Sequence, residues 1–165
     1  MRMRIFVAFI VIFVINLINA KIFESDEHQR HARQLNENQF ISVKEGDVSA
    51  YIARRKVGDD LIVGKYVDNW KNIYIPYFGK ELVFQDEIEI LKTNGRHMWI
   101  PYPGHIPEKA IQGGYEGTAK LYIGRKWHEG KNLAGKIVEG INAIFCPFFG
   151  NELRFDENFD ILVEY

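Results

Sequence analysis

Apolar positions change character along the chain. Ile5 to Ile15 is almost unbroken apolar sequence behind Arg2 and Arg4, and Asn19-Ala20 precede charged Lys21. A basic start, an apolar run and a small-residue exit are the layout of a secretory signal peptide, so residues 1–20 are read as one, cleaved after Ala20. The alternative, a membrane anchor, needs about 20 apolar residues to span; the run is shorter. Residues 21–39 are polar and charged, with three acids in Glu24–Glu27, and read as a leader, either flexible or a loosely docked helix. From residue 40 onward, short apolar runs alternate with turn residues. Strands are predicted over Ala50–Arg55, Leu61–Val67, Ile73–Tyr77 and Ile88–Leu91, and again over Leu121–Lys126, Leu133–Val138, Ala143–Phe148 and Phe159–Val163. Gly58-Asp59-Asp60 and Glu129-Gly130-Lys131 read as hairpin loops, and Gly79 and Gly150 as turns. Pro76 and Pro147 fall inside apolar runs and point to edge strands or bulges, because proline brings no N–H to a ladder. Lys92–Glu116, rich in Gly and Pro, reads as a loop-rich crossover.

The two strand series are copies of one another. A shift of 71 positions aligns residues 46–91 with 117–162 without a gap, and 16 of 46 positions are identical. Tyr51-Ile-Ala-Arg54 meets Tyr122-Ile-Gly-Arg125, Gly64-Lys65 meets Gly135-Lys136, and Ile75-Pro-Tyr-Phe-Gly-Lys-Glu-Leu82 meets Cys146-Pro-Phe-Phe-Gly-Asn-Glu-Leu153. Upstream, Glu45 meets Glu116. Internal repetition of this length marks a duplicated supersecondary unit.

Composition narrows the class. Removal of 20 of the 165 residues leaves 145, enough for one domain with a real core. Two arginines leave with the signal, which takes the net charge from −1 to −3. A weakly acidic chain is a poor match for nucleic acid, whose binding rests on Lys and Arg neutralising phosphates. The single cysteine, Cys146, has no internal disulfide partner and reads as a small buried hydrophobe, so burial must supply the stability.

These repeats resemble the DM9 family (also called DUF3421), secreted repeat proteins of invertebrates. The resemblance is carried by Trp99 with Ile106-Pro107-Glu-Lys-Ala110-Ile-Gln-Gly113-Gly114, by Leu121-Tyr-Ile-Gly-Arg125, by Gly135-Lys136, by Phe149-Gly150-Asn151-Glu152 and by Ile161-Leu162. The first copy departs from the pattern, with His28 and Asn36 aligned to Trp99 and Pro107; in the second copy Asn151 stands where the family has Lys. The resemblance implies an all-β fold over residues 40–165, in which two tandem homologous DM9-type repeats form one pseudo-twofold-symmetric antiparallel β domain. It also implies carbohydrate recognition, since some members are mannose-binding lectins. On that reading the partners are mannose-type glycans on microbial or host surfaces, with no metal or cofactor, in innate immune recognition and with a homodimer as one arrangement. The alternatives are a secreted interaction or structural protein without a sugar site, and a membrane-active accessory module.

Sugar binding needs several fixed donors and acceptors converging on one cleft, since water competes for each bond. Glu116 precedes the first strand of its copy and Lys136 lies on the return strand; Glu45 and Lys65 are the equivalents. The resemblance matches Glu116 to an acidic sugar-contact position, usually Asp, and Lys136 to the Gly-Lys lysine. Each acid and amine pair is expected to face solvent, with a structural salt bridge at a turn as the competing reading. Glu81 and Glu152 are candidates for ligand contact or for satisfying backbone N–H groups near the pseudo-twofold axis. Arg54 and Arg125 are expected to form ion pairs, with those same glutamates as candidate partners. Trp70 and Trp127, which do not coincide in the repeat register, are candidate stacking platforms. His28-x-x-His31 has helical metal spacing but no partners, and no nucleophile elbow, phosphate loop or zincin motif appears, so the expectation is a non-enzyme.

Overall fold

The computed structural model describes residues 23–25, 35 and 39–165, so residues 1–20, read as a signal peptide, and the His28/His31 pair lie outside the described residues. Fourteen strands and no helix appear among them: β1 (Phe23–Ser25), β2 (Ser42–Glu45), β3 (Val48–Val57), β4 (Asp60–Val67), β5 (Asn72–Tyr77), β6 (Lys80–Phe84), β7 (Glu89–Leu91), β8 (His97–Pro101), β9 (Gln112–Glu116), β10 (Ala119–His128), β11 (Lys131–Val138), β12 (Ile144–Phe148), β13 (Asn151–Phe155) and β14 (Phe159–Glu164). The sheet runs β1-β7-β3-β4-β5-β6-β13-β12-β11-β10-β14-β8, with β2 added on β3 and β9 on β10 and β4. Every pairing is antiparallel.

Inside the end strands β1 and β8, that order reads the same from both ends once the 71-residue shift is applied. The strands β3 to β7 map onto β10 to β14, and the two halves meet where β6 pairs β13 at Lys80 and Asn151. This is the pseudo-twofold axis. The two copies interlock as well as abut. Leu61 on β4 pairs Tyr115 on β9, β2 packs on β11, and β4 packs on β11.

Ala50–Ala53 and Leu121–Gly124 at the centres of β3 and β10 are buried without alternation, because both faces of these strands are covered. Ile52, Ile62, Ile75, Leu121, Ile123 and Ile137 are among the fully buried residues, and Cys146 is buried with them. Burial holds its thiol far above its ordinary value, in keeping with a structural side chain.

Gly64 and Gly135 explain one local feature of the fold. A Cβ on Gly64 would overlap the backbone carbonyl of Tyr74, and one on Gly135 that of Phe145. Only glycine lets β5 and β12 approach β4 and β11 this closely. After the Lys65–Tyr74 pair the β4–β5 ladder stops, while β5 continues against β6. Pro76 falls in that stretch and Pro147 in its counterpart, so neither ring removes a ladder hydrogen bond. Both strands are internal to the sheet order, but these prolines sit where one side of the strand is unpaired.

The structure differs from the sequence-based expectation in three places. Phe23–Ser25 pair with β7 as a strand inside the segment read as a flexible or helical leader. The crossover contains β8, paired along β14, and β9. The short strands β2, β6 and β13 went unpredicted; they are four or five residues long, and no position of β6 or β13 is fully buried.

Candidate functional site

Each copy brings its glutamate and lysine together. Lys65 Nζ donates to both carboxylate oxygens of Glu45, at 2.8 and 2.8 Å. Lys136 Nζ donates to Glu116 Oε2 at 2.6 Å. The lysines do not face solvent as expected: Lys65 is 5% exposed and Lys136 2%. The reason is their position on central strands, opposite Ile52 and Ile123. A charge buried this deeply must be paired. Around Lys65 and Lys136 the aromatic rings of Tyr74 and Phe145 stand at 5.7 and 5.9 Å from the ammonium groups.

Glu81 and Glu152 reach across the axis. Glu81 Oε2 accepts the N–H of Gly150 at 2.7 Å, and Glu152 Oε2 accepts the N–H of Gly79 at 2.6 Å. Reciprocal backbone bonds from Glu81 N to Gly150 O and from Glu152 N to Gly79 O complete the clasp. The geometry thus gives these two glutamates the backbone-satisfying role. Glu152 has a second contact that Glu81 lacks. Its Oε1 lies 3.1 Å from Lys136 Nζ, at an angle that makes an ion contact but not a hydrogen bond, so this buried oxygen has no hydrogen-bond partner.

Arg54 and Arg125 do not pair with Glu81 or Glu152. Arg54 binds Glu89 and Arg125 binds Asp160, each at 2.8 Å. The partners are cross-strand neighbours on β7 and β14, and adjacency on a sheet outweighs the reach to the axis.

A cleft of about 200 Å³ opens beside the first pair, lined by Glu45, Lys65, Trp70, Tyr74, Glu81, Lys131, Phe148 and Phe149. It is composite: its last three residues belong to the second copy. Trp70, 55% exposed, stands edge-on to Tyr74 with ring centroids 6.2 Å apart. Trp127 is exposed too, but does not line this cleft. Burial is the largest influence on Glu45 and raises its pKa from 4.5, against the opposing pull of Lys65.

The equivalent surroundings of Lys136 carry different side chains. Ile141 replaces Trp70, Phe145 replaces Tyr74, and Asp60 stands where the first cleft has Lys131. Asp60 is fully engaged. Its Oδ1 accepts the N–H of Gly117 at 2.7 Å and its Oδ2 the hydroxyl of Tyr77 at 2.8 Å. The Gly117 bond, then the Tyr77 bond, lower the Asp60 pKa, while the bond to Asp60 is the main reason the Tyr77 hydroxyl rises to about 12. Sequence reasoning passed over Lys131 and Asp60 as turn residues. Their opposite charges at one repeat position were the available signal.

At the axis turns, Phe78 and Phe149 both have φ of 47° and are 74% and 77% exposed. A bulky residue in the left-handed region costs about 1–2 kcal/mol. This strain is repeated in both copies, as it is at Glu87 and Asn158, and both phenylalanine rings stay largely exposed.

An all-β molecule of two interlocked copies, each seating a buried lysine on an acidic partner, defines a tandem-repeat class. A family model described as the DM9 repeat matches residues 44–155, more than half of the sequence, and the chain belongs to that family. No curated protein matches it. Among solved structures it is similar in fold to the crystal structure of the nematode sperm cell motility protein MFP2B, with a TM-score of 0.60 and 14% identity over 74% of this chain. The matched region spans 39% of that protein's chain.

Proposed function

We propose that this DM9 protein is a non-catalytic carbohydrate-binding protein, acting outside the cell on mannose-type glycans of microbial or host surfaces. The observation that carries the reading is the cleft over the Glu45–Lys65 pair. It combines an acceptor and donor fixed in place with an exposed indole at its rim. Vicinal hydroxyls need such fixed polar groups, and the apolar face of a sugar ring packs on an aromatic surface. At about 200 Å³ the space suits one ring. The basic start and apolar run of residues 1–20 support secretion. The repeat-equivalent placement of the acids supports binding over glycosidase chemistry, in which two carboxylates take unlike roles.

A glycan array with the purified protein tests this. Mannose-type glycans are expected to bind, and Trp70→Ala to weaken binding roughly fivefold with an unchanged unfolding midpoint. A flat array from a folded protein overturns the reading. Lys65→Ala is the poorer probe, because a buried charge loses its partner and folding suffers. A second reading, a protein-interaction module without a sugar site, is favoured by the exposed Phe78 and Phe149 at the axis. It predicts a flat array together with partner capture that is lost in the Phe78→Ser, Phe149→Ser double variant.

A further inference from the structure

The two repeat copies diverge most sharply at residues 60 and 131. Lys131 begins β11, opposite His128, and lines the open cleft. Its ammonium lies 5.6 and 5.3 Å from the ring centroids of Phe148 and Phe149. Among the described residues no hydrogen bond or ion pair holds it, so all three N–H donors are available. The other charges lining the cleft already have partners: Lys65 gives two of its three N–H groups to Glu45, and Glu81 accepts the N–H of Gly150. Beside Lys136 the equivalent position is filled from the first copy by Asp60, locked between Gly117 and Tyr77. Around Lys136 the contacting or nearby acids are Glu116, Glu152 and Asp60, and the other cation at the Phe145 ring, Arg154, is paired with Asp156, while the first cleft sets Lys65 and Lys131 against Glu45 and Glu81.

Resting on the carbohydrate reading above, we infer that the cleft between the copies prefers an anionic sugar, a hexose bearing a carboxylate or phosphate outside its ring, with Lys131 binding the anion. The ring occupies the space beside Trp70 and Tyr74, and the Glu45–Lys65 pair meets its hydroxyls. The anion then reaches an ammonium that no carboxylate bonds directly, with Glu45 acting on it only through space. Two aromatic faces hold that ammonium near the cleft, which lowers the entropy lost on binding.

Titration calorimetry at low ionic strength compares methyl α-mannoside with its uronic acid counterpart and with mannose 6-phosphate; acetate and inorganic phosphate serve as ring-free controls. Both charged sugars are expected to bind roughly fivefold tighter than the neutral one, with the advantage shrinking as salt rises. In Lys131→Ala, and equally in Lys131→Gln, the charged sugars should fall to the affinity of the neutral one. A neutral sugar that binds as well as the charged ones overturns the inference and leaves the carbohydrate reading standing. So does a preference that survives both substitutions, or inorganic phosphate that binds as tightly as mannose 6-phosphate. If no sugar binds, the carbohydrate reading falls and the inference with it.

Discussion

The surroundings of Lys65 and Lys136 are the same construction with different outcomes. Both lysines follow a glycine that brings a neighbouring strand close, and both sit under an aromatic ring beside a glutamate from the preceding hairpin. Around Lys65 the ammonium has one acidic partner, and the neighbouring wall offers an indole and a second lysine. Around Lys136 two glutamates contact the ammonium, and Asp60 ties Tyr77 to the loop at Gly117. Duplication preserved the buried pair, which the sheet needs. Divergence fell on the rim, where substitution has little effect on folding. A buried ion pair kept in both copies is thus evidence about architecture, and on the carbohydrate reading proposed above the rim is where the two copies differ in what they offer a ligand.

Removing the lysines tests this contrast most severely. Lys136→Ala strands Glu116 and Glu152, and the loss of a buried partner costs about 3–5 kcal/mol. Lys65→Ala should cost less, because Glu45 alone is left and its raised pKa lets it shed its charge. Urea unfolding of both variants gives the order, and equal losses would erase the distinction.

The axis glutamates come next. Glu152→Gln weakens the bond to Gly79 and also turns an amide, which has no acceptor to meet, toward Lys136 or the Gly79 N–H. About 2 kcal/mol is expected. Glu81→Gln touches only the Gly150 bond and should cost roughly half as much. The comparison fails if Glu81→Gln is the costlier change.

A smaller effect, of opposite sign, is expected at the turns. Phe78→Asn and Phe149→Asn place a residue that tolerates the left-handed region at φ of 47°. Each should raise stability by about 0.5–1 kcal/mol in thermal unfolding. Only Phe149→Asn should weaken sugar binding, since Phe149 lines the cleft and Phe78 does not.

The smallest difference is in pH dependence. Glu45 has a native pKa above its ordinary value, so its contribution to stability is greatest below about 4.5 and declines as pH rises through the native value. Asp60 is the reverse. Its native pKa lies below 3.8, so its contribution is present above that value and is lost as pH falls through the native one. As pH rises from acid, Glu45→Gln should therefore gain on the wild type and Asp60→Asn should lose. Chemical denaturation at a series of pH values reads both trends, and trends with the same sign would contradict this assignment.

The repeat itself was legible in the linear chain, and with it eight strands and the two glycine turns at the axis. Local chemistry explains why: β-branched and aromatic runs between Gly, Asp and Asn breakers carry their structure at short range. The pairing of Glu45 with Lys65 and of Glu116 with Lys136 was also within reach, because each repeat supplies both members. Three further features depended on tertiary structure. The burial of both lysines follows from strands covered on two faces, which no local pattern reveals. The partners of Arg54 and Arg125 follow from β7 and β14 lying beside β3 and β10. The cleft follows from the pseudo-twofold meeting of β6 and β13, which sets Lys131, Phe148 and Phe149 of one copy against Trp70 and Tyr74 of the other. A repeat alignment superimposes equivalent residues, whereas a symmetry axis brings non-equivalent ones into contact, and that contact is made only when the chain closes on itself.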